Sequence, residues 1–572
     1  MKKSITLFMV FYFLSTHIFC YGQVDSISNW QEQVLNSINI EDFSDASYSR
    51  LIEMLSDLEL KKQDSVYHKR IVQNIILRTD HCLNLRDYFS HNIRYKLQAG
   101  KNCSAGFTFS QDAEEKFSKQ LPWVDSFNYY IKYKNTILGR YRLKLGSGLI
   151  INQQFSLGKS IDSDAFLQSG TSYSPHSSTD EYNYLQGAIT KIDLGQFSFV
   201  PFASFKTIDA SIKNDTITSI ATDGYHRTKN ELQKKNAATV FNTGFRAAFH
   251  SSWYEIGTNI LYTRFSLPYH RASRAYNIYY YRGQQLLQGS VDYHIRRYGF
   301  VLRGETAIDQ NLNIASISQL SHPIGEDWTA SLMYRHFSQT YQCLYAATVS
   351  ESSSMQGEQG VLVNITGYPF PHWKIVFLFD YFSFKNVQYG YDHPFNGFDF
   401  RTLIQYSKRA WDINLSYRLK SKESLRHNAD AVISYKVLDG LSLKSQLRGK
   451  IYSPKDIGGF SLGYSVSEAL NWNKEDCPFS GEIQATWFES EDYDSRLYIS
   501  EKNILYGFNI PMLYGRGMRG SATCVYKIRP SISLDLKYSL FHYLDRDQIN
   551  CGLQKINGHD QYNISLQLRL KI

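Results

Sequence analysis

The feature that most constrains this chain is a period of two that starts near residue 91 and runs to the last residue. In NIRYKLQA, Ile93, Tyr95, Leu97 and Ala99 fall on one side and Asn92, Arg94, Lys96 and Gln98 on the other. WDINLSYRLK sets Trp411, Ile413, Leu415, Tyr417 and Leu419 against Asp412, Asn414, Ser416, Arg418 and Lys420. SISLDLKYSL repeats the pattern, and the chain ends on YNISLQLRLKI, with Tyr562, Ile564, Leu566, Leu568, Leu570 and Ile572 on one face. A soluble sandwich hides such faces with strands of about five or six residues. Many segments here run ten or more, the length a tilted strand needs to cross a bilayer. Arg, Lys and Asp on nearly every polar face suit a hydrated lumen. About twenty long strands left open would present an aggregating edge, which closure removes.

The excess of tyrosine and phenylalanine, 43 and 35 residues against 12 prolines, agrees with a strand-rich chain. The expected fold is therefore an all-β transmembrane barrel, antiparallel, over residues 89–572. At about 20 residues per strand and connection, it would hold on the order of 24 strands, with 22 to 26 in range. Aromatics near segment ends (Trp123, Tyr141, Trp253, Trp328, Trp373, Trp411, Trp472, Trp487) are expected to form interface girdles.

Ahead of the barrel, Lys2, Lys3 and the apolar run Leu7–Phe19 predict a signal peptide over residues 1–22, cut before Gln23. Acylation at Cys20 is disfavoured by bulky Phe19. Residues 23–88 carry a helical period, with Tyr48, Leu51, Ile52, Leu55 and Leu58 on one face, and predict a small α-helical domain in the periplasm. Ile71, Ile75 and Ile76 predict a further helix ending near Arg86. Six cysteines remain beyond the signal (Cys82, Cys103, Cys343, Cys477, Cys524, Cys551), without CxxC or histidine pairing, so no metal is expected and disulfides and free thiols stay open. A net charge of +9 over 572 residues does not call for nucleic acid. No cofactor is implied.

GRYRLKLGSGLIINQQFSLGKS (Gly139 to Ser160) and TDGYHRTKNEL (Thr222 to Leu232) carry a family resemblance, with FSQDAEEKF (Phe109 to Phe117) and DEYNYLQGA (Asp180 to Ala188) in support. Together they resemble segments of a Bacteroidetes outer-membrane family described as helix-hairpin-helix domain-containing proteins. The resemblance covers about residues 25–260 and implies a barrel behind tandem helix-hairpin-helix repeats able to meet a phosphate backbone. Glycine is absent from Gln23 to Ala99, so those hairpins are missing here, and DNA binding does not carry over.

The densest polar motif is His226-Arg227-Thr228 with Glu231. It fits a ligand or partner clamp through the guanidinium, or an Arg–Glu pair and a threonine hydrogen bond pinning a long loop, and the second is favoured. In the opening of the Gly139 segment, Arg140, Arg142 and Lys144 are expected to face the lumen while Tyr141, Leu143 and Leu145 face lipid. Gly146 and Gly148 would mark a bend in the wall, because no Lys-Ser/Thr pair and no βαβ unit supports a nucleotide loop. Sixteen histidines supply no triad spacing, so no catalytic residue is named. An energised receptor is disfavoured, since its plug exceeds one hundred residues and only about 65 precede the first strand.

The expected role is a non-enzymatic, porin-like or scaffold barrel in the Gram-negative outer membrane, in contact with its lipid, passing or binding a solute or macromolecule. The alternative is a surface binding or assembly protein anchored by an occluded barrel; the third reading is DNA capture. A periplasmic protein could meet the helical domain's apolar stripe.

Overall fold

The computed structural model describes residues 51, 53–57 and 71–572, apart from 87, 116–124, 155–158, 160–166, 456–457, 475 and 508–509. The expected signal peptide and Trp123 lie outside these residues.

Among the described residues, one sheet holds 28 strands. Four short ones, Ser172–Pro175, Ile192–Leu194, Ala210–Lys213 and Thr216–Ile220, extend or flank their neighbours, which leaves a wall of 24 antiparallel strands. The wall closes on itself: Ile71–Cys82 pairs with Phe89–Ala99 on one edge and with the last strand, Asp560–Lys571, on the other. No edge is left exposed, as the length and amphipathic nature of the strands require.

That first strand corrects two expectations. Residues 71–82 form a wall strand and not a helix, so the barrel begins at Ile71 and not at residue 89. Ile71, Ile75 and Ile76 fit a helical period, but Val72 and Ile76 also point inward, where Leu505 covers Ile76. An apolar inner row hides a period of two.

The longest connections all share one end of the ring. At one end connections are brief, such as 134–135, 195–196, 298–299, 409–410 and 530–531. At the other lie 112–125, 145–184, 209–237, 338–357 and 491–515. The outward rows are apolar, with Leu332, Phe377, Phe379 and Tyr381 exposed. Trp253, Trp328, Trp373, Trp411 and Trp472 all gather at the short-turn end, as an aromatic girdle would. The six cysteines are free thiols.

The largest apolar core lies inside the ring. Leu143, Leu145, Leu149, Ile150 and Ile151 pack against the inward residues Ala307, Ile317, Met333, Leu362 and Leu378 of the wall.

Candidate functional site: the filled lumen and its mouth

The strand Thr136–Lys144 parts from its neighbour Ser126–Tyr133 at Gly139, whose φ of +102° and whose Cβ position, 2.6 Å from the carbonyl oxygen of Tyr129, admit only glycine, and leaves Leu185–Thr190 after Tyr141. Beyond it both faces of the chain are interior. Leu145 donates to the Ile151 carbonyl and Gln153 to that of Leu143, closing a hairpin within the lumen, and Ser172–Pro175 pairs along its other edge. Tyr141, Leu143 and Leu145, expected to face lipid, are fully buried there. Their apolar character serves a core within the barrel.

At the hairpin tip the amides of Ser147 and Leu149 donate to one carboxylate oxygen of Glu305, at 2.6 and 3.1 Å. The hydroxyl of Ser290 donates to the other at 2.6 Å. Gly146 and Gly148, at φ of +57° and +90°, permit this approach, since a Cβ would stand 2.6 Å from the Glu305 carboxyl carbon and 2.5 Å from the Ala347 carbonyl oxygen. They shape an inserted tip rather than a bend in the wall. The geometry is that of an anion nest, filled by the protein's own carboxylate.

The three basic residues of this segment also lie inside. Arg142 pairs with Glu53 at 2.7 Å, and Lys144 donates to the Gln168 carbonyl at 2.8 Å. Arg140 donates to Gln186 at 3.0 Å and covers the Tyr184 ring at 4.4 Å. Glu53 belongs to a helical turn at residues 53–57, which sits in the lumen. Asp57 pairs with Lys96 at 2.5 Å, and the amide of Tyr506 donates to Ser56 at 3.0 Å. The N-terminal residues that the structure describes are thus held inside the ring.

Two further loops complete the filling. The 338–357 loop bridges the hairpin at Tyr345 and Ile151, and Tyr341 donates to the Leu149 carbonyl at 3.0 Å. Its Glu351 meets Lys159, Lys420 and Lys422, while Lys159 also reaches Asp380. Asp380 and Glu358 in turn hold Arg335, at 2.7 and 2.6 Å. From the other side, the 491–515 loop sets Glu501 against Arg519 and Lys537. Its Tyr506 lies under the Arg94 guanidinium, 3.6 Å from the ring centroid.

At the long-loop mouth Glu115, Glu181 and the segment 222–232 come together, while 139–154 runs into the lumen. His226, 5% exposed, donates through Nδ1 to Asp125 at 2.5 Å and through Nε2 to Asp209 at 2.8 Å, and its amide donates to Glu115. Lys235 joins Asp125. Arg227 pairs with Glu231 at 3.2 Å, and Thr228 and Glu231 form a reciprocal capping box that starts the helix Lys229–Lys234. The motif is therefore a set of loop-pinning contacts. Glu115, Asp125 and His226 bring three ligating atoms within 4.8 Å of one another. Both imidazole nitrogens already donate to carboxylates there, and a lysine shares the site.

Burial works against a charged imidazole, but hydrogen bonds to Asp125 and Asp209 and their charges outweigh it and push His226 up to about 10. Burial, with the charges of Asp125 and Asp112, pushes the nearby Glu181 carboxyl up to about 9. A histidine raised above its unfolded value contributes fully below about pH 6.5 and loses that contribution as pH rises through its folded value. The His226 Cε1–H resonance is expected to stay at its imidazolium position at pH 8. Proteolysis within 209–237 is expected to accelerate above about pH 10, and His226→Gln to show that acceleration already at neutral pH, by removing charge-assisted hydrogen bonds of about 1.5–3 kcal/mol each.

Sequence reasoning missed the lumen-facing carboxylates Glu305, Glu358, Asp380 and Asp399. Strand parity could have found them, since all four sit on inward rows of strands that lie close around the ring.

No family model matches the chain, and no curated protein matches it in sequence. Among solved structures, the FrpB iron transporter from Neisseria meningitidis is similar at 10% identity and a TM-score of 0.42, over 90% of this chain and 84% of that one. The siderophore receptor PirA from Pseudomonas aeruginosa is similar at 9% and 0.42, over 88% and 80%. OpdK from the same organism, crystallised with vanillate, is similar at 6% and 0.32, over 88% and 99%. Similarity of this degree says nothing of cargo, and the barrel stands on its own strand ladder.

Proposed function

We propose that this protein is a non-enzymatic barrel of the Gram-negative outer membrane, closed at rest, whose filled lumen anchors extracellular loops that bind a surface partner. The observation that carries this reading is the occupation of the lumen by the chain's own segments: an apolar core packs the hairpin at 141–154 against the wall, and buried ion pairs tie Glu351 of the 338–357 loop to Lys420 and Lys159 to Asp380. A ring of this size left empty would be a wide water-filled channel. The short turns face the periplasm and the long loops the exterior, following the asymmetry of such barrels. The pinned mouth around His226 supports a rigid recognition surface, where Glu115, Glu181 and the segment 222–232 meet.

Purified protein in planar bilayers tests this. Heat-modifiable migration on gels is expected together with a baseline free of conductance steps. Nanosiemens steps from the intact chain would return the porin-like reading to first place.

A further inference from the structure

On the outward face of the barrel, one carboxylate stands where lipid tails should be. Glu468 lies midway along the strand Ser461–Asn473, four residues from Trp472 of the aromatic girdle and four from Tyr464 on the other side. Its row in the ladder runs Ile433, Ser445, Glu468, Ala485, Gly520, Leu540, so all share the outward side. Among the described residues, the other carboxylate, lysine and arginine side chains of the outward rows stand toward strand ends, including Arg264, Arg297, Lys408, Glu489, Arg516 and Asp560. Glu468 accepts one hydrogen bond, from Ser445 at 2.8 Å, and has no cation within ion-pair distance among those residues.

The surface beside it is recessed. Ala485 and Gly520 follow on one side and Ser445 on the other, and a Cβ at Gly520 would meet nothing within 4 Å. Larger side chains flank this floor: Trp487 and Met518 toward the loops, Leu470 and Ile483 toward the turns. An ionisable group at bilayer depth is costly and is retained where a partner meets it.

We propose that this notch is a lateral docking site for a membrane-embedded polypeptide segment that presents a basic side chain at mid-bilayer depth to Glu468. Charge complementarity selects the occupant. A second copy of this chain does not supply it, because among the described residues the outward mid-belt rows carry no lysine or arginine and a two-fold pairing would oppose Glu468 to itself. Small residues at Ala485 and Gly520 let a foreign backbone approach closely, as at helix interfaces within membranes.

The test uses the full chain reconstituted in dioleoylphosphatidylcholine vesicles with a 23-residue leucine-rich transmembrane peptide carrying a photo-crosslinker beside one central lysine. Cross-linking to residues 461–529 is expected to exceed that of an all-leucine control about ten-fold, and the excess should vanish in Glu468→Leu. Heat-modifiable migration verifies that this variant folds. Equal yields for lysine and leucine peptides, or a lysine preference that survives Glu468→Leu, would overturn the proposal. Loss of the preference in wild type on adding phosphatidylethanolamine would assign the notch to a lipid amine and overturn the polypeptide assignment.

Discussion

Excising Leu497–Leu513 and joining the ends with a short Gly-Ser linker is expected to turn a silent barrel into a conducting one. This stretch contributes Glu501, Ile504, Leu505 and Tyr506 to the lumen filling opposite the inserted hairpin. Its removal frees Arg519, Lys537 and Arg94 to hydrate and takes from the helical turn at 53–57 its contact with Tyr506. The wall itself keeps its ladder, because Phe479–Ser490 pairs directly with Arg516–Arg529. Channels of 16 to 18 strands already leave an aqueous bore, so bilayer conductance at least about ten-fold above the intact protein is expected. A folded, heat-modifiable variant that stays silent would mean the remaining segments seal the ring alone.

The second large effect concerns Arg335, which is fully buried between Glu358 and Asp380. Arg335→Ala leaves two carboxylates without their guanidinium, although Lys159 still reaches Asp380. Breaking a buried pair by removing one member typically costs about 3–5 kcal/mol. The temperature at which the folded band is lost on gels should fall clearly. Neutralising the stranded groups in the triple variant with Glu358→Gln and Asp380→Asn should restore much of the loss, since contacting residues couple strongly. A triple variant no better than the single one would place the damage in the cavity left by the side chain.

The wall was readable because its outward rows are apolar and exposed. In the strand Trp411–Ser421, outward Trp411, Leu415 and Tyr417 alternate with inward Asp412, Ser416 and Arg418 just as the sequence spells them. Reading failed where the inner face meets protein. Ile76 packs on Leu505 and so made a wall strand look helical, while Leu143 and Leu145 pack on an inner core and so looked lipid-facing. A pattern of apolar residues records burial, not what does the burying. The polar motif at His226 was legible in its Arg227–Glu231 pair and the Thr228 hydrogen bond. Asp125 and Asp209 were not, because long loops bring them together from distant strands.

The Gly-Ser-Gly tip around Glu305 has a bearing on competition for anions. Its amides are aimed as in loops that grip phosphate, yet the carboxylate they hold belongs to the same molecule. A tethered partner acts at an effective concentration in the millimolar range or above, so a free anion meets a rival that never diffuses away. The tip is saturated by construction, and its grip on negative charge is turned into a fastening between hairpin and wall.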